Sequence, residues 1–258
     1  MYRERGIGQQ MIDDIAFFSE CGRRTVNQDA IYASAQKGRG VFVVADGMGG
    51  HSGGEIASSM IVNNIKKWWD GNHFTDAETG IDAVAEQCMG LLHHANEEVF
   101  SYFCKRGQAG GSTVAVLLIW DDQYMVFSAG DSRIYRVREK SLEQLTMDDV
   151  WENLPEVKYE MSYEMAVCDA RFGKLTEALG SEKRLKVSRY GGMLWGREMF
   201  LLCSDGVYKC CAPRELEKIM CSGTLFKSAG RMAEMIRKSV IKGGMHDNYS
   251  AILCSVKR

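Results

Sequence analysis

Proline is scarce in this chain, with two in 258 residues. With so few, and with no low-complexity stretch or internal repeat, there is no obvious linker at which to divide it. No run approaches the roughly 18 consecutive apolar residues of a membrane span, and the polar opening "MYRERGIGQQ" lacks the apolar centre of a secretory signal. The net charge of −2 is too small a bias for a nucleic-acid or membrane-surface binder. The nine cysteines are scattered, odd in number and contain no C-x-x-C pair, which argues against a zinc site or a disulfide framework. Cys203, Cys211 and Cys254 lie in or beside apolar runs and read as buried reduced thiols. Together these absences predict a cytoplasmic protein without membrane or nucleic-acid partners.

What is present is a chain that is 45% hydrophobic, enough to bury one sizeable core. One large domain or two small ones would both fit that length; without a linker, a single domain over 11–258 behind a polar tail at 1–10 is expected. "DDIAFFSECG", "DAIYASAQ", "GVFVVAD", "STVAVLLIW", "QYMVFSAGD", "RIYRVRE", "EMFLLCSD" and "YSAILCSV" carry the β-branched and aromatic residues of strands, and turn residues bound most of them. Ile56, Met60, Ile65 and Trp68 recur at helical spacing, as do Val84, Cys88, Leu91, Leu92, Ala95, Val99 and Phe103. Later, "PRELEKIM" places Pro213 at a first helical position, and 225–242 forms a further helix that "KGG" ends. This order of elements fits antiparallel sheets covered by helices better than a βαβ alternation, an α+β class. Residues 146–175, charged and rich in Met and Tyr, have little periodicity and read as a mobile flap or insertion.

Aspartates recur where strands end. Asp46 closes "VFVVAD", Asp131 follows "VFSAG", Asp205 closes "FLLCSD", Asp247 precedes "YSAILCSV" and Asp29 precedes "AIYAS". Any one of them alone is most simply a turn former. Five at the ends of apolar strands would gather their carboxylates if those ends met at one sheet edge. Like charges that close stay ionised only with cations between them. Oxygen ligands select hard divalent ions such as Mg²⁺ or Mn²⁺. Glycines beside Asp46, in "DGMGGHSGGE", would let a backbone carbonyl join the coordination.

"RTVNQD", "ADGMGGHSGGE", "GGSTV", "SAGDSRIY", "LTEALG", "LLCSDGV" and "HDNYSAIL", in this order and spacing, resemble the motifs of the metal-dependent type 2C serine/threonine protein phosphatases, especially bacterial ones. The resemblance runs from about residue 13 to the C-terminus. It implies a four-layer α/β/β/α sandwich of two antiparallel sheets flanked by helices, with a binuclear Mg²⁺ or Mn²⁺ centre in the cleft at one edge. By position, it makes Asp46 the carboxylate bridging both metals and the Gly47 carbonyl a ligand of one. Asp205 and Asp247 correspond to ligands of the other, and Asp29 acts through bound water. Asp131 matches a ligand of a third ion, shared with Asp205. Arg24 takes the phosphate-binding position; adjacent Arg23 is the better candidate for an ordinary surface salt bridge. The implied chemistry is in-line attack of a metal-bridging hydroxide on phosphoserine or phosphothreonine. The implied substrates are phosphoproteins, with a serine/threonine kinase and its targets as partners of a monomeric enzyme.

Some positions depart from the family pattern. Gln28 stands where members often have Glu, and Glu177 replaces the usual Arg of "TRALG". "LTMDDVW" lacks a histidine often seen there. Met48 occupies the place of the histidine thought to protonate the leaving alkoxide in the animal enzymes. His51, three residues on, is the nearest candidate acid, against the plainer reading of a solvent-facing turn residue with water as the donor. A dinucleotide fingerprint fails because Ser52 follows Gly47 and Gly49 where a third glycine belongs, and "GQAGGST" has no P-loop lysine. The remaining rival is a catalytically silent, partner-binding domain. Such domains usually betray themselves by lost metal carboxylates, and none is lost here.

Overall fold

The computed structural model describes residues 11–36, 38–49, 53–72, 80–223 and 228–257; the polar tail at 1–10 and His51 lie outside them. The chain opens with strands β1 (Met11–Glu20), β2 (Asp29–Gln36) and β3 (Arg39–Met48), followed by the two long helices α1 (Gly53–Gly71) and α2 (Ile81–Cys104). The short β4 (Gly111–Ser112) precedes β5 (Val114–Trp120), β6 (Gln123–Ala129), β7 (Arg133–Arg138) and β8 (Ser141–Gln144). After the short helices α3 (Pro155–Glu160) and α4 (Tyr163–Val167) come β9 (Ser188–Met193) and β10 (Glu198–Cys203). Helices α5 (Asp205–Cys210), α6 (Pro213–Gly223) and α7 (Ala229–Gly243) lead to the closing strand β11 (Tyr249–Lys257).

Every paired strand is antiparallel. One sheet runs β1-β11-β10-β7-β8 and the other β2-β3-β5-β6-β9, with β4 added to the end of β3. The side-chain alternation of each strand explains the layering. Along β3, Val41, Val43 and Ala45 pack with Ile61, Ile65 and Leu92 of α1 and α2, whereas Phe42 and Val44 face the other sheet. Along β10, Leu201 and Cys203 join Ile236 and Val240 of α7, and Phe200 and Leu202 enter the space between the sheets. The central strands are apolar on both faces because both faces are covered, so β5 is buried along its whole length. Each fully buried Leu or Ile, such as Leu117 and Ile119, contributes about 1.5–3 kcal/mol of transfer free energy. The result is an α+β sandwich of helices, two antiparallel sheets and helices.

Helix ends follow local chemistry. Pro213 opens α6, where its missing N–H costs nothing. Ser228 caps α7 by accepting from the Arg231 amide, and Gly244, at φ +107°, ends it in the left-handed conformation. Cys203, Cys211 and Cys254 are buried free thiols.

Residues 146–175, read from sequence as a mobile flap, carry α3, α4 and a small core of their own made by Trp151, Val157 and Ala166. Two aspartates tie this excursion to the turn after β6. Asp148 accepts Nε and Nη2 of Arg133 at 3.0 and 2.6 Å, and Asp149 Oδ2 accepts the Gly130 amide at 3.0 Å.

Candidate metal centre

Antiparallel pairing brings the first two carboxylates together, because Asp29 at the start of β2 lies directly across from Asp46 near the end of β3. Asp205 enters from the other sheet as the first residue of α5, two residues beyond β10. Asp131 sits in the turn between β6 and β7, and Asp247 just before β11. The five aspartates that sequence reasoning singled out therefore meet at one edge of the sandwich. The carboxyls of Asp46 and Asp205 come within hydrogen-bonding reach of each other.

Backbone contacts fix this edge. The Asp46 amide donates to Thr113 Oγ1 at 3.0 Å, and the Asp46 carbonyl accepts from the Thr113 amide and Ser112 Oγ, both at 2.9 Å. The Gly47 amide donates to the Gln28 carbonyl at 3.0 Å, and Ser58 Oγ of α1 donates to the same oxygen at 2.6 Å. Gly47 and Gly54 meet backbone to backbone: a Cβ on Gly47 would lie 2.1 Å from the Gly54 carbonyl oxygen, and one on Gly54 2.7 Å from Gly47. Close approach of α1 to the Asp46 turn is thus what these two glycines serve. Met48 lines a cavity of about 390 Å³ with Phe100, Phe103 and Ala109.

Electrostatics follow from the crowding. Burial, and then the charges of Asp29, Asp205 and Asp131, push the Asp46 carboxyl well above the ordinary range. Burial raises Asp29 to about 6; hydrogen bonds from Ser204 and Ser250 oppose the rise, and Asp205 and Asp247 add to it. Asp131 is raised by burial and then by Asp205. Two cations answer these charges. Arg24 Nη2 lies 2.7 Å from Asp247 Oδ2, and Lys209 Nζ lies 2.5 Å from Asp205 Oδ2. Lys209 is pulled down by burial yet held above its ordinary value by Asp205 and Asp131.

The residues present fit hard cations. Asp29 Oδ1 is buried without a partner, an orphan acceptor among carboxylates, which is costly unless a cation or donor reaches it. Among the described residues no group of three or more Asp, Glu, His or Cys side chains is already arranged to hold a metal ion; Arg24 and Lys209 hold oxygens of Asp247 and Asp205 instead.

Several supporting residues escaped sequence reasoning. Ser204 Oγ donates to Asp29 Oδ2 at 2.7 Å and accepts the Ser250 amide at 3.0 Å. Asn248 donates to the carbonyls of Cys21 and Val26, both at 2.9 Å, and accepts the Gln28 amide at 2.9 Å, which pins the loop carrying Arg24. Tyr208 donates to Asp131 Oδ2 at 3.0 Å beneath the Arg133 guanidinium, which lies 3.5 Å from the ring centre. Ser204 and Asn248 adjoin Asp205 and Asp247, and that adjacency was the available signal.

The profile of the protein phosphatase 2C family matches residues 19–242. Protein phosphatase PhpP of Streptococcus pneumoniae is 28% identical over 249 residues, covering 94% of this chain and 97% of its own. Among solved structures, PppA, a regulatory component of the type VI secretion system in Pseudomonas aeruginosa, superposes with a TM-score of 0.78 at 28% identity, covering 95% of this chain and 98% of its own. The catalytic domain of serine/threonine protein phosphatase PstP, solved with two manganese ions, has the same fold at a TM-score of 0.78 and 23% identity, covering 97% of this chain and 99% of its own. With its sandwich, its edge of aspartates and a family match over most of its length, this chain belongs to the protein phosphatase 2C family.

Proposed function

We propose that this protein is a Mg²⁺- or Mn²⁺-dependent phosphatase acting on phosphoserine and phosphothreonine in proteins. The observation that carries the reading is the convergence of five aspartates at one sandwich edge, with a buried carboxylate oxygen left unpaired among them. When bound, divalent cations supply activation of a water nucleophile and offset negative charge on the transferring phosphoryl group. Asp46, the Gly47 carbonyl, Asp205 and Asp247 would hold them. Asp29, steadied by Ser204, supports the centre from behind.

Arg24 binds the phosphate. Its guanidinium is more than half exposed and rests on Asp247. Turned away from Asp247, that guanidinium would offer two parallel N–H donors to a phosphate. Asn248 ties the Arg24 loop to the segment that carries Asp247.

The substrates are targets of a serine/threonine kinase, and the enzyme works as a cytoplasmic monomer. Relatives named as protein phosphatases support the reaction class. No helix among the described residues is long and apolar enough to cross a membrane. A silent binding domain is disfavoured because all five aspartates are retained. The decisive experiment compares wild type with Asp205→Asn on a phosphothreonine peptide in Mn²⁺. Turnover should vanish in the folded variant and in EDTA-treated wild type, and return to wild type with Mn²⁺. Near-normal turnover by folded Asp205→Asn would sink the reading.

A further inference from the structure

Lys209 stands one helical turn beyond Asp205 on α5, on the same face. Its ammonium reaches in from solvent to lie 2.5 Å from Asp205 Oδ2 and 3.9 Å from Asp131 Oδ2. These are the two carboxylates through which the family resemblance implies a third ion. Asp131 Oδ2 also accepts the Tyr208 hydroxyl at 3.0 Å, and Tyr208 donates to the Asp131 carbonyl at 3.1 Å. On both carboxylates Oδ2 already has a donor, so a metal bridging Asp131 and Asp205 would have to displace one or rely on Oδ1 alone. It would also have to sit against the Lys209 ammonium.

The charge count points the same way. Five aspartates meet at this edge. Two divalent ions and one ammonium balance five negative charges, leaving Arg24 for the substrate phosphate. A third divalent ion beside Lys209 would leave the centre with two surplus positive charges before Arg24 is counted.

We propose that the Lys209 ammonium is the third cation of this centre, so that the chain takes up two divalent ions and excludes another from the Asp131–Asp205 pair. The proposal rests on the two-metal reading above. Lysine suits the place because its charge is compact and its flexible stem can follow the carboxylates.

Metal stoichiometry tests it without reference to activity. Wild type, Lys209→Met and the double variant Lys209→Met with Asp131→Asn are dialysed to equilibrium against graded Mn²⁺, and Mn²⁺ per chain is measured by elemental analysis. Circular dichroism checks the fold, and Lys209→Gln serves as a second neutral variant. Wild type should saturate at two ions and each single variant at three, the third binding at least tenfold more tightly than any extra ion in wild type. The double variant should return to two. Three ions in wild type, or two in both single variants, would overturn the role of Lys209 while leaving the phosphatase reading intact. No bound ion in folded wild type would overturn both.

Discussion

Neutralising Asp29 should stabilise the metal-free protein, and by an amount that depends on pH. Asp29 is buried, with Oδ2 bonded to Ser204 and Oδ1 unpaired, and its carboxyl is raised from 3.8 to about 6, chiefly by burial. A carboxyl raised in this way binds its proton more tightly in the folded state than in the unfolded one, so its contribution to stability falls as pH rises. At pH 8 the ionised group costs about 3 kcal/mol, from roughly two pKa units at 1.36 kcal/mol each. As pH falls through about 6 the folded state takes up the proton and the cost fades, reaching its minimum below about pH 4. An asparagine side chain there would keep the shape and accept the Ser204 hydroxyl through its amide oxygen. In EDTA at pH 8, Asp29→Asn should therefore gain up to about 3 kcal/mol, or about 6–12 °C in Tm for a domain of this size. The gap should narrow towards pH 5. Saturating Mn²⁺ should shrink or reverse it, because wild type gains more from the ion than the variant does. Urea and thermal unfolding at the two pH values, with and without Mn²⁺, make the measurement. A variant less stable than wild type in EDTA at pH 8, or a gap indifferent to pH, would refute the reasoning.

Arg24→Ala should raise KM for phosphopeptides and lower kcat by less than Asp205→Asn does, measured at saturating Mn²⁺; an unchanged kcat/KM would remove Arg24 from the phosphate site. Gly54→Ala should destabilise by about 1–3 kcal/mol and weaken Mn²⁺ binding, since its Cβ would fall 2.7 Å from the Gly47 backbone. Gly90→Ala, mid-helix in α2 with nothing within 4 Å of the new carbon, should instead stabilise by about 0.5–1 kcal/mol in the same urea assay. His51→Ala should change phosphoserine-peptide and aryl-phosphate hydrolysis by similar small factors. A selective loss of phosphopeptide turnover, on the order of 10²-fold, would make His51 the general acid.

Elements that carry their own signal are legible in the amino-acid pattern. The buried strands β3, β5 and β11 and the amphipathic helices α1 and α2 lie where periodicity puts them, because each buries a face set by its own side chains. Elements defined by a partner are not legible in this way. Strand β9, "SRYGGM", is half-exposed and holds two glycines, and it exists by pairing with β6 at the sheet edge, where a Cβ on Gly191 would meet Met125. Strand β8 is four mostly exposed residues completed by β7. Asp205 reads as the last residue of a strand, yet it starts α5, a helix of six residues whose local propensity is too short to register. In the irregular stretch, α3 and α4 rest on a small core of Trp151, Val157 and Ala166 with Leu154, Met161 and Phe172 packed against it, and helices of six and five residues are too short for a period to register.

The site divides along the same line. Its aspartates are visible because each ends or begins an apolar strand, so the fold had to bring the strand ends, and the charges with them, to one edge. Ser204, Asn248, Thr113, Tyr208 and Lys209 read as ordinary strand, turn or helix residues, since their work is done across the sandwich and leaves no spacing to detect. They are nevertheless what makes the cluster persist. Carboxylates that repel would separate if their backbones were free to move. Here the Asp46 main chain is bonded on both sides by Ser112 and Thr113, Asp29 is held by Ser204, and Asn248 closes the loop behind Asp247. Denied that escape, the charges can be relieved only by protons, by the ammonium of Lys209 and the guanidinium of Arg24, or by divalent ions. On the proposed two-metal reading, ions would relieve a repulsion already built into the fold, and the backbone clamps that look purely structural would then raise the metal affinity of the centre.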